Sequence, residues 1–256
     1  MSDSKDKDVL LEVKNLTVEV AGKRLLRGVD MIVKEGETHV VFGPNGSGKT
    51  TLVNVIMGLP DYKVVDGDIL FRGDSILEWN LTERAKSGIG LAFQHPPVVE
   101  GVSLGVLLKT IIPDKKTSEE IAKNAHMEDY LEREVNVGFS GGERKKDELL
   151  QLLAQAPQLV MFDEPDSGVD VDSIKLMVDI MRKLLQKNTP IRERKNSGII
   201  VTHSGVILEE IHADRGYVLV NGRLVCSGPP LDIFDQVKNH GFERCIKEAY
   251  ESEKDG

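Results

Sequence analysis

Cysteine is almost absent from this sequence, which contains only Cys226 and Cys245. Two cysteines so far apart form neither the disulfide framework of a small secreted domain nor the closely spaced pair of a CxxC metal site. Ligation of a metal cluster by these two side chains is an alternative, but the pattern favours isolated structural thiols.

Long apolar runs are missing as well. No window approaches the roughly 18 consecutive apolar residues of a membrane-spanning helix, and the longest apolar stretches have the length of strands. Residues 1–8 are polar and of mixed charge, without the apolar stretch of a secretory signal. We therefore expect no membrane span, a disordered tail over 1–8 and a location in the cytoplasm.

The sequence also lacks an excess of positive charge. The chain has 33 Lys and Arg residues against 42 Asp and Glu residues, which gives a formal net charge of −9. An extended contact with nucleic acid needs clustered basic residues that displace counterions from the phosphate backbone. Nucleic acid is therefore not expected as the main partner.

The apolar segments that are present follow the order of an α/β protein. Residues 10–20 and 29–33 alternate in part between apolar and polar residues, which predicts a small antiparallel sheet at the N-terminus. Residues 38–42, 159–162 and 198–201 form continuous apolar runs. Such runs are typical of strands buried on both faces, and they predict a mainly parallel core sheet covered by helices.

Helical segments are predicted in the middle and near the end of the chain. The stretch between Gln94 and Ser140 is acidic and helical in character, without a strand signal, and predicts an inserted helical subdomain over about 95–150. Asn221-Gly222 separates two apolar runs and predicts a β-hairpin, followed by a helical segment from 229 to about 250. No linker interrupts the sequence, so we expect a single domain over 9–250 and a short tail at 251–256.

A glycine-rich motif lies between the first buried strand and a segment with helical spacing. It matches GxxxxGK[ST] in full and has the sequence context of a phosphate-binding P-loop. Its glycines allow main-chain N–H groups to converge on phosphate oxygens at the positive end of the helix dipole. Lys49 is expected to reach the β- and γ-phosphates, and the Thr50 hydroxyl is expected to bind Mg²⁺. The predicted phosphate-binding residues are Gly43, Pro44, Asn45, Gly46, Ser47, Gly48, Lys49, Thr50 and Thr51.

Two carboxylates, Asp163 and Glu164, end the apolar strand that starts at 159. In P-loop proteins a carboxylate at such a strand end holds Mg²⁺, and this is the role predicted for Asp163. Glu164 points differently and is placed to orient or deprotonate the water that attacks the γ-phosphate. His203 ends another apolar strand, where an imidazole can contact the γ-phosphate or that water, although a single histidine is more often structural.

A group of small residues opens a charged helix about 20 residues before these carboxylates. In Ser140-Gly141-Gly142-Glu143, a hydroxyl group, glycine N–H groups and a helix N-terminus form a second candidate anion site. Taken alone, the four residues are explained better as a plain helix cap. Their position before Asp163 favours phosphate binding.

The order of these motifs resembles that of ABC-type ATPases, and the resemblance covers nearly the whole chain from Val9 onward. In finer detail the chain is similar to the SufC family, the ATPases of the Suf iron–sulfur cluster assembly machinery. One shared trait is Glu143, where transporters usually carry Gln. Residues 18–20 depart from many ABC ATPases because they offer no aromatic side chain to stack on adenine, which implies loose base selectivity. The segments with the finer resemblance are 43–48, 92–94, 135–143, 148–151 and 166–170.

The resemblance implies ATP hydrolysis as the activity, ATP and Mg²⁺ as cofactors, and Gln94 as a residue that contacts both Mg²⁺ and the γ-phosphate region. It also implies a transient head-to-tail homodimer in which residues 140–142 of one copy close the P-loop nucleotide of the other. The implied partners are soluble SufB/SufD-like scaffold subunits, which ATP-driven closure rearranges. The alternative is the nucleotide-binding subunit of an ABC transporter, which shares every catalytic residue.

Two further hypotheses concern the segments beyond Gln94 and Glu143. Residues 98–112 are rich in apolar side chains. We therefore expect part of 95–112 to be exposed and to bind a SufB/SufD-like scaffold subunit, although complete burial of these side chains fits the pattern equally well. Lys145 is a candidate to pair with Glu164 in the free chain and restrain hydrolysis. The alternative, a solvated helix face, is the commoner role for such a lysine.

Overall fold

The structure is a computed structural model that describes residues 9–203, 205–243 and 245. The tails predicted at 1–8 and 251–256, and the end of the helical segment near 250, lie outside the described residues.

Strands and helices alternate along most of the described chain. The strands are β1 (Val9–Val20), β2 (Lys23–Lys34), β3 (Thr38–Phe42), β4 (Lys63–Phe71), β5 (Asp74–Ser75), β6 (Ile89–Ala92), β7 (Val99–Ser103), β8 (Glu134–Val135), β9 (Leu159–Asp163), β10 (Ser197–Val201), β11 (Arg215–Val220) and β12 (Arg223–Gly228). The helices are α1 (Lys49–Met57), α2 (Leu81–Ser87), α3 (Leu104–Ile111), α4 (Lys115–Asn124), α5 (Gly141–Gln155), α6 (Val171–Leu184), α7 (Gly205–Ile211) and α8 (Pro230–His240), with short 3₁₀ turns at Glu128–Tyr130 and Ile191–Glu193. Within the residues described, no helix has both the length and the apolar character to span a membrane.

The N-terminal strands form an antiparallel sheet in the order β2-β1-β4-β5. Val13 of β1 lies opposite Met31 on one side and Ile69 on the other, and all three side chains are buried. The predicted antiparallel sheet is therefore confirmed. Its second strand begins earlier than the apolar run at 29–33, because the more polar residues from Lys23 onward also pair with β1.

The core sheet has the order β12-β11-β3-β10-β9-β6, and every neighbouring pair runs parallel except β12 with β11. Side chains such as Val40 face the cluster formed with α5, α6 and α8, whereas Val41 faces the cluster formed with α1 and the antiparallel sheet. Both faces are thus covered, which explains the continuous apolar runs. The mainly parallel sheet is confirmed, and the carboxyl ends of β3, β10, β9 and β6 lie side by side at one edge.

The helical part of the chain is inserted between β6 and β9. Leu104 and Leu108 of α3 and Leu149 of α5 join the core beside the parallel sheet. A pair of short strands accompanies the helices, with Val99 of β7 opposite Val135 of β8. The expectation of no strand here was wrong. The two strands pair across α3 and α4 and β7 is mostly exposed, so neither leaves a local alternating pattern.

The turn between β11 and β12 is the predicted hairpin. Asn221 and Gly222 have φ angles of 49° and 81°. Positive φ at both central residues is what a two-residue type I′ turn requires, and Asn-Gly meets this requirement with little strain.

Candidate active site

The glycine-rich loop connects β3 to α1. Gly43 has φ 158°, and a Cβ atom there would lie 2.2 Å from the carbonyl oxygen of Leu219. Gly48 is the left-handed N-cap of α1 and carries no side-chain cap, so the first N–H groups of the helix remain available to an anion. The turn between β11 and β12 also holds the main chain of the loop, because the Gly222 N–H donates to the Ser47 carbonyl over 2.9 Å. The hairpin turn therefore supports the loop, a contact that the sequence did not indicate.

The polar side chains of this loop suit a phosphate group. The Ser47 hydroxyl is buried and has no hydrogen-bond partner among the described residues. The Lys49 ammonium lies across the loop and donates to the carbonyl oxygens of Gly43 and Pro44 over 2.8 and 3.1 Å. Burial lowers the pKa of Lys49, and the nearby carboxylates of Glu164 and Asp163 oppose this shift. A buried cation and an unpartnered hydroxyl beside a helix N-terminus fit the phosphates of a nucleotide. Asn45 is exposed in the same loop, and Thr51 is buried in α1.

A pair of oxygen groups lies next to Lys49. The Thr50 hydroxyl donates to Oδ1 of Asp163, the last residue of β9, over 3.2 Å. Burial raises the pKa of Asp163, whereas the bond from Thr50 lowers it. One hydroxyl and one carboxylate are a fitting set for Mg²⁺, which binds few protein oxygens and completes its shell with phosphate and water. The described residues contain no cluster of three or more His, Cys, Asp and Glu ligands, and a site of this kind does not need one.

Glu164 follows directly and adopts an unusual conformation. Its φ is 46°, rare for a residue other than glycine, and its N–H donates to the Val201 carbonyl over 2.9 Å. One carboxylate oxygen accepts a 2.6 Å hydrogen bond from Nε2 of Gln94, and the other lies 3.2 Å from Nε2 of His203. The structure thus brings together three side chains from the ends of β6, β9 and β10. A carboxylate held in this way can accept a proton from a water molecule.

The predicted second anion site is the N-terminus of α5. Ser140 is the N-cap: its hydroxyl accepts from the Glu143 N–H over 3.3 Å, and the Glu143 carboxylate accepts from the Ser140 N–H over 2.8 Å. Ser140 and Gly141 are exposed, and Gly142 is buried. Within the part that the structure describes, residues 140–143 make no hydrogen bond to the glycine-rich loop. This segment is well formed but separate from the other predicted site residues of its own chain.

Residues of the helical part support Glu143 in a way that the sequence did not indicate. The Tyr130 hydroxyl donates to Oε1 of Glu143 over 2.6 Å. The Arg133 guanidinium lies over the rings of Tyr130 and Phe139, 5.1 and 4.6 Å from their centres. The hydrogen bond from Tyr130 is the main reason that the pKa of Glu143 is lowered. The tyrosine and the arginine thereby fix the start of α5.

Lys145 does not behave as either hypothesis expected. It is buried, and its ammonium group donates to the Phe93 carbonyl over 2.5 Å. Among the ion pairs of the described residues none joins Lys145 to Glu164, whose carboxylate contacts Gln94 and His203 instead. The proposed pairing is therefore not formed in the free chain, and the solvated helix face is also wrong.

Comparison with known proteins places this geometry in a family. The family described as "ABC transporter" matches residues 26–167. The "Probable ATP-dependent transporter SufC" of Escherichia coli (strain K12) is 38% identical over 249 residues, which cover 91% of this chain and 97% of that protein. The "Probable ATP-dependent transporter ycf16" of Cyanophora paradoxa is 36% identical, with 88% and 90% of the two chains covered.

The fold of this chain is similar to that of solved ATP-binding cassettes. A nucleotide-free ATP-binding cassette from an ABC transporter matches with a TM-score of 0.75 at 23% identity, covering 94% of this chain and 98% of its own. An ATP-bound bacterial Atm1-family ABC exporter matches with a TM-score of 0.76 at 20% identity, covering 96% of this chain and 42% of the exporter. The family match spans more than half of the sequence, and the named relatives exceed one third identity over about nine tenths of it. The chain therefore belongs to the ABC transporter family of ATP-binding proteins, as an ATPase of the SufC-like kind.

Proposed function

We propose that this ATPase is the ATP-hydrolysing subunit of a Suf-type iron–sulfur cluster assembly complex in the cytoplasm, where it drives conformational change of soluble SufB/SufD-like scaffold subunits. The similarity to the protein named SufC over nearly the full length of both chains carries this proposal. An apolar groove also supports it, because Phe93, which lines the groove, directly precedes Gln94, and the groove offers a docking surface near the proposed hydrolysis site.

The phosphate-binding part acts by position and charge. Main-chain N–H groups of the loop, the Ser47 hydroxyl and the Lys49 ammonium hold the β- and γ-phosphates of ATP. Thr50 and Asp163 hold Mg²⁺, which when bound neutralises charge that develops on the phosphate oxygens. Pro44, Asn45 and Thr51 also belong to the proposed nucleotide-binding segment, as members of the loop and the first turn of α1.

The water-activating part consists of the three strand-end side chains. Glu164 accepts the proton of the attacking water, and its strained φ aims the carboxylate away from the Mg²⁺ ligand Asp163. Gln94 and His203 keep the carboxylate in one orientation through the two hydrogen bonds described above. In addition, Gln94 takes part in Mg²⁺ binding through its amide oxygen, which the contact with Glu164 does not use.

A head-to-tail homodimer completes the site in this proposal. The exposed start of α5 presents Ser140 and Gly141 at the positive end of the helix. Since residues 140–143 do not reach the loop of their own chain, we propose that they cover the γ-phosphate bound by a second copy. ATP then favours the closed dimer because it contacts both copies, and hydrolysis releases it.

The groove for the scaffold lies between α2, the segment after Gln94 and α5. Its volume is about 600 Å³, and its apolar wall includes Phe93, Pro96, Pro97, Val99, Leu107 and Ile111. Val99 is 40% exposed, so part of the 95–112 segment is indeed solvent accessible. An apolar groove of this size is suited to a protein segment with apolar side chains.

Affinity purification of the tagged chain from its own cells, followed by mass spectrometry, tests this function. Soluble SufB/SufD-like subunits should be recovered with the wild type but not with Val99→Glu or Leu107→Glu. Leu231→Glu is the matched control, because Leu231 is 49% exposed on α8 and does not line the groove. All variants should still bind ATP. Recovery of a multi-span membrane permease in place of the scaffold subunits would instead identify a transporter subunit.

A further inference from the structure

One residue, Phe93, has both of its main-chain polar groups held by side chains of α5. The Lys145 ammonium donates to the Phe93 carbonyl over 2.5 Å, and the Glu148 carboxylate accepts from the Phe93 N–H over 2.5 Å. Lys145 and Glu148 are three residues apart, so they lie on the same face of the helix. Both main-chain polar groups of Phe93 are therefore hydrogen-bonded to side chains of the same helix.

The position of Phe93 in the sheet explains why it needs such partners. The ladder between β6 and β9 ends with Ala92 opposite Phe162, and β6 is the edge strand of the core sheet. Beyond Ala92 the main chain pairs with no further strand of the described residues, and a buried N–H or carbonyl without a partner is costly. Side-chain groups of Lys145 and Glu148 take the place of the missing strand as hydrogen-bond partners. The next residue along the chain is Gln94.

The two side chains that hold Phe93 are themselves buried, which costs solvation energy. Lys145 is 3% exposed and Glu148 is 7% exposed, and Oε2 of Glu148 is buried without a partner among the described residues. Burial lowers the pKa of Lys145 and raises that of Glu148, and the charge of each opposes the shift of the other. Two ionisable side chains lose much solvation energy on burial, so they are a costly way to satisfy two main-chain groups. A role in function accounts better for their presence.

We propose that Lys145 and Glu148 are positioning residues for ATP hydrolysis: they fix the main chain at Phe93 so that the Gln94 amide stays on the Glu164 carboxylate. Because α5 begins at the Ser140 cap, the same contacts join the start of α5 and the Gln94 segment into one rigid unit. This role needs only the ATPase activity and no scaffold partner.

Steady-state kinetics of purified variants test this role. Glu148→Leu should lower kcat about tenfold or more, because the buried Phe93 N–H loses its acceptor, with the KM for ATP within about twofold. Glu148→Gln should stay within about threefold of the wild type, because its amide oxygen still accepts from the Phe93 N–H. Lys146→Met is the matched control: it removes a charge from the same turn of α5 but leaves the Phe93 contacts in place.

A double variant separates positioning from a general loss of structure. If Lys145 and Glu148 act through Gln94, Glu148→Leu should cause no further loss of kcat, within about twofold, in a Gln94→Ala background. Lys145→Met, which removes only the contact with the carbonyl, provides a second series should Glu148→Leu unfold. An unchanged kcat in the single variants, or losses that multiply in the double variants, would overturn the proposal.

Discussion

The side-chain amide of Gln94 donates a 2.6 Å hydrogen bond to the carboxylate of Glu164. The two residues come from the ends of β6 and β9, strands whose parallel pairing sets their spacing. A glutamate with φ 46° projects differently from Asp163 beside it, and Gln94 holds it there. The carboxylate proposed to activate water and the proposed Mg²⁺ ligand are thus adjacent in sequence but point in different directions because of the φ angle of Glu164.

The clearest consequence concerns Glu164→Gln. This variant keeps the shape of the side chain but removes the base, so it should bind ATP with wild-type affinity and hydrolyse it at least about a hundredfold more slowly. Size-exclusion chromatography with ATP and Mg²⁺ should show an accumulated dimer. Turnover at the wild-type rate would disprove the assignment of Glu164 as the base.

Lys49→Ala acts at an earlier step. Removal of the ammonium that lies across the loop deletes the charge proposed to face the β- and γ-phosphates, and binding of ATP should fall to below a hundredth of its wild-type affinity. Equilibrium binding of a fluorescent ATP analogue measures this loss. A thermal unfolding curve close to that of the wild type is the control for folding.

Thr50→Val examines the Mg²⁺ site. Valine has nearly the shape of threonine but lacks the hydroxyl that contacts Asp163, so the Mg²⁺ concentration for half-maximal ATPase rate should rise roughly tenfold or more. Thr50→Ser, which restores a hydroxyl, should recover most of the wild-type requirement. Chelation of Mg²⁺ should stop hydrolysis by the wild type, and activity that persists without the ion would contradict the site.

The local structures that were predictable from sequence are those formed by a short segment. The glycine-rich loop between β3 and α1 and the carboxylates at the end of β9 are such cases, because the geometry of a strand end or a helix start is set by neighbouring residues. The contacts of Tyr130 with Glu143 and of Lys145 with Phe93 depend on how α5 packs against distant segments. No local pattern reports that packing. The wrong hypothesis for Lys145 has the same origin, since its charge suggested solvent or an acidic partner when its partner is a main-chain carbonyl.

Asp147 lies on α5 next to Glu148. Its side chain is fully buried; Oδ2 accepts from Gln151 over 3.1 Å, while Oδ1 has no partner among the described residues. Burial raises the pKa of Asp147 from 3.8 to about 6, although the bond from Gln151 opposes the shift. Between these two values the folded chain binds more protons than the unfolded chain, so the free energy of unfolding decreases as the pH rises through this window.

Asp147→Asn removes this dependence because asparagine does not ionise. The free energy of unfolding of the variant, relative to the wild type, should therefore increase from about pH 4 to about pH 6 and remain nearly constant up to about pH 7. A shift of this size corresponds to a gain of at most about 3 kcal/mol. Urea denaturation at a series of pH values up to about 7 measures the difference. Comparison at the same pH cancels the titration of groups that Asp147 does not influence, and Glu148, whose pKa the Asp147 charge raises, titrates above this range with a pKa of about 8. The new amide contributes only an offset that does not vary with pH. A difference between the proteins that stays flat from pH 4 to pH 7 would show that Asp147 ionises with an ordinary pKa in the folded chain.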